Sequence, residues 1–354
     1  MARLRRVDCS GPGIRRRRQG RGFAYIDEEG GQITDEGALE RIRELAIPPA
    51  WKDVWICSDP MGHIQATGMD ARGRKQYRYH DHWRERRDRA KFEEMVDFAR
   101  SLPQLRKRVT LDMRRRKLSR ERILACSVRL LDRGFFRIGS EGYAEENETY
   151  GLATMRRKHV TINGDTATFD YTAKGGQRRI QVITDRQVAR LLAQLKEREG
   201  GGYELLAYRR NGDWRDVRSD DINEYVKDAT GGDHSAKDFR TWNATLLAAV
   251  ALAVAAEENP PGTQAARERI KRRAVKDVAR FLGNTPAVCR SSYIDPRVFD
   301  RFDGELTVGG VIDRLPDDPS EWPNVQATIE RGVLDLLEGR EESRAVERIE
   351  PEGD

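Results

Sequence analysis

The sequence predicts an α+β chain: a small β-rich N-terminal domain followed by a mostly α-helical domain that holds a small antiparallel sheet among its helices. Three observations carry this. Short runs rich in β-branched and aromatic residues, broken by glycines, fill residues 23–88. Apolar residues recur at helical spacing through most of residues 89–310. Within that helical stretch, "KHVTINGDTATFDYTAKGGQRRIQVI" switches to a period of two. The 354 residues are enough for two apolar cores.

Each element follows from local signals. Residues 1–22 are rich in arginine and glycine and read as a flexible basic arm. "FAYIDEEGGQIT" reads as two short strands around a glycine turn. A helix over Glu36–Leu45 must stop before Pro48 and Pro49, where the backbone cannot continue helically. "WICSDP" and "HIQATGMDARGRKQYRYH" supply further strands around a loop. "RERILACSVRLLDRGFF" places Ile123, Leu124, Val128, Leu130 and Leu131 on a helix. Asn163-Gly164 and Gly175-Gly176 mark two hairpin turns. The apolar run Ala244–Ala256 falls short of the roughly 20 residues a bilayer requires and reads as a buried helix. Residues 311–354 form a C-terminal extension with a helix over Val325–Leu337 and an acidic end.

Charge narrows the partner. Lys and Arg total 65 against 59 Asp and Glu, a net charge of +6. The basic residues cluster at Arg15 to Arg18, Arg114 to Lys117 and Lys271 to Arg273, which favours a polyanion, with nucleic acid ahead of a membrane. Four scattered cysteines form no CxxC pair, so neither a disulfide framework nor a zinc ribbon is indicated and a reducing, cytoplasmic compartment fits. The N-terminus lacks the apolar segment of a secretory signal. His80 and His82 flank Asp81, but no further ligand is spaced to complete a metal site.

Tyr293, in "FLGNTPAVCRSSYIDPRV", raises the chemical question. Phosphoryl transfer onto a side-chain hydroxyl needs a nucleophile, donors for the non-bridging oxygens and an acid for the departing oxygen. A phenol with an ordinary pKa of about 10 needs a cationic setting to attack at neutral pH. The chain carries no GxxxxGK[ST] loop and no HExxH, so arginine and lysine are the natural suppliers of charge. Taken singly, each candidate has a plain explanation. Arg137 could pair with Glu145, Glu146 or Glu148, Lys174 could be an exposed turn lysine, and Tyr293 a packed aromatic.

The joint pattern is more specific. "FFRIGSEGYAEENETYGLATMRRKHV", "DYTAKGGQ", "KDFRTWNAT" and "VARFLGNTPAVCRSSYIDPRV" occur in the order seen in type IB DNA topoisomerases of the poxvirus-like and bacterial branch. Upstream, "DARGRKQYRYH" resembles the segment by which that family's N-terminal domain contacts DNA. The resemblance covers roughly residues 20–310 and implies the catalytic-domain fold shared by tyrosine recombinases and type IB topoisomerases.

By position, the resemblance implies Arg137 and Arg240 as the catalytic arginines, Lys174 as general acid and Tyr293 as nucleophile. Asn284 stands in "LGNTP" where many superfamily members carry histidine; it keeps an N–H donor but no charge. Gln76, Tyr77, Tyr79 and Lys237 are implied as DNA contacts. The implied reaction is ATP-independent relaxation of supercoiled duplex DNA by a monomer, through a 3′-phosphotyrosine, with no cofactor and no required divalent metal. Site-specific recombination is the alternative. Recombinases typically read H-x-x-R at the second arginine, whereas this chain reads Lys237-x-x-Arg240.

Overall fold

The computed structural model of the chain describes residues 3–142, 144, 148–315 and 322–349. Contacts divide the chain into two units, residues 1–91 and 92–354.

The first unit is a five-stranded antiparallel sheet with one helix. Its strands are β1 (Ile14–Gln19), β2 (Gly22–Ile26), β3 (Lys52–Ile56), β4 (Ile64–Met69) and β5 (Lys75–Tyr79), in the order β2-β1-β3-β4-β5. Helix α1 (Glu36–Glu44) starts at Asp35, whose carboxylate accepts from the Ala38 amide. Ile42 of α1 meets Ile14, Val54, Ile56 and Ala66 of the sheet to form the unit's core.

Two expectations change here. Residues 14–22 are not a flexible arm: Arg15 to Arg18 lie in β1, all four paired with β2, and Ile14 and Arg15 also pair with β3. The arginine run folds because Arg16 is satisfied inside the unit. Its guanidinium sits 4.2 Å from the Phe23 ring centroid and donates to the carbonyls of Ile47, Pro48 and Trp51. Deleting residues 1–21 would therefore remove a structural strand. "FAYIDEEGGQIT" supplies one strand and a single bridge, Ile26 to Gln32, because Asp27 folds the intervening turn by accepting from the amides of Glu29 and Gly31.

Helix α2 (Asp81–Met113) runs from the end of the first unit into the second, followed by α3 (Arg120–Gly134). The three-stranded sheet β6 (Val160–Asn163), β7 (Thr166–Ala173) and β8 (Gln177–Thr184) comes next. The first hairpin turn shifts by one residue from expectation: Asn163 pairs with Thr166, leaving Gly164-Asp165 as the loop. The second hairpin closes with Ala173 opposite Gln177, so Lys174-Gly175-Gly176 is the tip, with both glycines at positive φ.

Then follow α4 (Arg186–Lys196), the hairpin β9 (Ala207–Arg210) and β10 (Asp213–Asp216), α5 (Ser219–Thr230), α6 (Ala236–Glu258), α7 (Gln264–Leu282), α8 (Pro286–Ser292) and α9 (Pro296–Asp303). Strand β11 (Leu306–Thr307) pairs with β12 (Glu347–Arg348), and α10 (Trp322–Glu338) lies between them in sequence. Among the described residues α6 alone is long and apolar enough to cross a membrane, yet 72% of its apolar window is buried in this core. Trp242 and Phe239 of α6 are fully buried, and Phe239 meets Phe98 of α2 edge-on at 4.8 Å between centroids.

The C-terminal region is not an appendage. Ile329, Val333, Leu336 and Leu337 of α10 belong to the main core of the second unit. Arg106 of α2 locks α10 to α3 by forked hydrogen bonds to Asp132 and Glu330, all at 2.6–2.8 Å. Trp242 Nε1 also donates to Glu330 at 3.3 Å. Two nearly buried carboxylates thus depend on one guanidinium. Lys271, read as part of a basic surface run, is instead buried and paired with both oxygens of Asp303 at 2.8 and 2.7 Å. Residues 350–354 of the acidic end lie outside the described residues.

Arg106→Ala is expected to cost about 3–5 kcal/mol, because it strands two buried carboxylates without their counter-charge. Urea unfolding of wild type and variant at neutral pH measures this; a loss below about 1 kcal/mol would mean the network contributes little.

Candidate active site

The site forms at the C-terminal end of α7. A helix leaves its last carbonyls without intrahelical partners and carries a partial negative charge there. Gly283 ends α7 in the left-handed region at φ +64°, where glycine is at no steric disadvantage. The chain then turns through Asn284 into α8, which Thr285 caps through the Val288 amide and Pro286 opens. Tyr293 is the C-cap of that short helix.

The two arginines converge on this turn. Arg240, one turn into α6, is 5% exposed and donates from Nη1 to Phe135 O at 2.6 Å and from Nη2 to Leu282 O at 2.9 Å. Arg137 donates from Nη2 to Gly283 O at 2.9 Å and also to Asn284 Oδ1. Phe135, which receives Arg240, is itself held at φ +56°, an uncommon conformation for a bulky residue. The backbone of Arg137 is fixed because Leu152 N donates to Arg137 O and Ala153 N to Ile138 O, at 2.8 and 2.7 Å. That crossing needs two glycines: a Cβ on Gly151 would lie 2.4 Å from Gly139 N. Of the glutamates weighed as plain partners for Arg137, Glu145 and Glu146 lie outside the described residues.

Arg137, Lys174, Lys237, Arg240 and Tyr293 together line one cleft of about 360 Å³. Lys174 reaches it from the exposed β7–β8 tip, and Lys237 from the first turn of α6. Asn284 stands beside it. Because Arg137 holds the Asn284 oxygen, the amide nitrogen is turned away from that contact, and Nδ2 is buried without a formed hydrogen bond.

The electrostatics separate two tyrosines near the same arginines. Tyr171 is buried and donates its hydroxyl proton to Gln181; burial pushes its pKa up to about 12, against the pull of Arg179, Arg240 and Arg137. Tyr293 is half-buried, and there burial is outweighed. The Arg240 guanidinium, 5.3 Å from the ring centroid, and Arg137 bring the phenol below its ordinary value, with Asn284 adding to the effect. Burial and the neighbouring Arg137 charge lower Arg240 to about 10, which leaves it cationic at neutral pH.

Three supports carried no sequence signal. Thr245, buried in α6, donates to Tyr293 O at 3.3 Å and accepts from Asp295 N at 3.1 Å, fixing the tyrosine's backbone. Phe135 offers its carbonyl to Arg240. Arg179 of β8 donates to the carbonyls of Arg280 and Phe281. Cys289, in the helix before Tyr293, is fully buried.

Gln76, Tyr77 and Tyr79 belong to the first unit, on edge strand β5. Tyr77 and Tyr79 are exposed and stacked at 6.0 Å, with Lys75 Nζ 5.7 Å from the Tyr77 centroid. Gln76 points to the opposite face, where its amide donates to Asp70 at 2.9 Å. Asp70 is held at about 2 by hydrogen bonds from the Arg74 backbone and side chain, so it stays an acceptor. His80 Nδ1 accepts from His82 N, and among the described residues no group of three or more His, Cys, Asp or Glu is set to hold a metal ion.

Comparison with known proteins matches the chain to one family. The family described as "Eukaryotic DNA topoisomerase I, catalytic core" matches residues 80–306, and "Bacterial DNA topoisomerase IB, N-terminal domain" matches residues 22–70. The chain is 31% identical over 285 residues to DNA topoisomerase 1B of Acanthamoeba polyphaga mimivirus, covering 80% of this chain and 85% of that protein. DNA topoisomerase 1B of vaccinia virus (strain Copenhagen) is 24% identical over 144 residues, 40% of this chain and 46% of that one. Monkeypox virus DNA topoisomerase I matches to the same extent. The chain belongs to the type IB DNA topoisomerases.

Proposed function

We propose that this topoisomerase relaxes supercoiled duplex DNA as a monomer, by cutting and resealing one strand through Tyr293, without ATP and without an obligatory divalent ion. The observation that carries the reading is the shared cleft: one tyrosine with a lowered pKa faces two arginines and two lysines. Tyr293 Oη attacks a backbone phosphorus, the P–O5′ bond breaks, and Lys174 gives its proton to the departing 5′ oxygen. Arg137 and Arg240 neutralise the two non-bridging oxygens, each retaining N–H groups beyond those donated to carbonyls. Asn284 Nδ2, buried and unpartnered beside them, is a further donor for one of these oxygens. After the broken strand rotates, the 5′ hydroxyl attacks the phosphotyrosine, Lys174 takes back the proton, and the nick closes. The side-chain cations supply the charge that a metal supplies elsewhere.

Tyr77, Tyr79 and Lys75 present an exposed aromatic and basic row suited to DNA, whereas Gln76 would first have to leave Asp70. Four free cysteines, Cys57, Cys126 and Cys289 buried and Cys9 half-buried, fit a reducing, cytoplasmic setting.

Plasmid relaxation in EDTA without ATP tests the reaction, with Tyr293→Phe alongside. Wild type is expected to relax plasmid and leave protein covalently on the 3′ end of cleaved DNA; the phenylalanine variant should do neither. Strand exchange confined to defined site pairs would instead establish a recombinase. Phenolate attack makes the single-turnover cleavage rate rise with pH and level off below pH 10, the ordinary value for tyrosine. In Arg240→Ala that midpoint should move up, and the plateau should fall about 10²–10³-fold; an unmoved midpoint would refute the electrostatic account. Asn284→His adds a chargeable donor and is expected to raise single-turnover cleavage, so an unchanged rate would remove Asn284 from the transition state.

A further inference from the structure

Four successive carbonyls at the end of α7 are taken by three arginines from three separate elements. Arg280 O and Phe281 O accept from Arg179 of β8, Leu282 O from Arg240 of α6, and Gly283 O from Arg137, which follows α3. They lie at the negative end of the helix, where carbonyls run out of intrahelical partners; Arg280 O also accepts from the Gly283 amide. Bringing three guanidinium groups within one turn is electrostatically unfavourable, and this end of α7 is what makes the gathering tenable. Two of the three groups contact the reacting centre in the proposed reaction. The third, Arg179, neither lines the cleft nor was singled out by its sequence context.

The place of Arg179 is built into the turn. A Cβ on Gly283 would lie 3.0 Å from Arg179 Nη1 and 3.1 Å from its Cζ, so the glycine serves the guanidinium as well as the positive φ. Arg179 is also five residues from Lys174 on the same hairpin, with Ala173 and Gln177 closing the tip between them. A single strand therefore connects the candidate general acid to the helix end that orients both arginines and Asn284.

We propose that Arg179 is a positioning residue for strand cleavage: its fork on Arg280 O and Phe281 O fixes the terminal turn of α7, so that the next two carbonyls hold Arg240 and Arg137 over Tyr293. Arg179 acts through that turn and does not touch the phosphate. The inference rests on the reading of Tyr293 as nucleophile.

The test compares Arg179→Ala and Arg179→Lys with wild type and with Arg178→Ala. Arg178 lies on the opposite face of the strand in a surface pair with Asp170 and serves as the control. Arg179→Ala is expected to slow single-turnover cleavage about 10- to 100-fold, the penalty for a small misplacement of reacting groups. DNA affinity and the salt dependence of binding should stay as in wild type. Arg179→Lys keeps the charge but lacks the planar fork, and should fall between. In the DNA-free protein, ring-13C-tyrosine NMR, with the Tyr293 signal identified by its loss in Tyr293→Phe, should show that phenol titrating at higher pH in Arg179→Ala. That readout needs no cleavage, so its failure is distinct from a failure of wild type to form the covalent adduct. A folded Arg179→Ala with wild-type cleavage and wild-type titration would overturn the proposal. So would weakened binding with a shallower salt slope, which would make Arg179 a phosphate contact. Should Arg179→Ala not fold, wild-type behaviour of Arg179→Lys in both readouts overturns it equally.

Discussion

The negative end of α7 is the constraint on which the site depends. Cations cannot be concentrated around a phenol without mutual repulsion, and here Arg137 and Arg240 each surrender part of their hydrogen-bonding capacity to backbone carbonyls of one helical turn. The glycine that ends the helix, the strained Phe135 carbonyl and the Gly139–Gly151 crossing all place those two guanidinium groups. Both guanidinium-bearing residues line the cleft. The guanidinium groups are thus held in place by the fold itself, the kind of preorganisation that stabilises developing charge.

The same organisation sets apart two tyrosines that lie near these arginines. Tyr171 and Tyr293 both lie in the field of Arg137 and Arg240. Tyr171 is a packed sheet residue whose proton is engaged by Gln181, so burial dominates. Tyr293 sits at a helix cap with its backbone held by Thr245 and its ring beside Arg240, so charge dominates. Proximity to arginine does not by itself make a nucleophile. The balance between burial and the neighbouring positive charge decides the outcome.

Local signals specify an element where they are strong. The helix at 36–44, the long apolar helix around residue 250, the switch to strands between β6 and β8, and the helix near residue 330 follow from periodicity, proline and glycine. They failed where a charged residue is satisfied at long range. The arginines of β1 look disordered until the carbonyls of Ile47, Pro48 and Trp51 are in place around Arg16, and Lys271 looks like surface until Asp303 is beside it. The C-terminal extension joined the core for the same reason: two partners of Glu330, Arg106 and Trp242, lie more than 85 residues away.

By itself, the sequence singled out the candidate side chains, because Arg137, Lys174, Lys237, Arg240, Asn284 and Tyr293 stand in motifs whose residue types and order are specific. It also determined the helical and strand segments that bear them, since those arise from interactions between near neighbours. The tertiary structure decided which of these groups meet, which tyrosine has its pKa lowered, and which backbone carbonyls and supporting residues, Arg179 and Thr245 among them, hold the arrangement. A hydrogen bond from an arginine to a carbonyl about 100 residues away leaves no periodicity to read. It exists only once the chain has brought one helix end to the meeting point of a strand and a second helix.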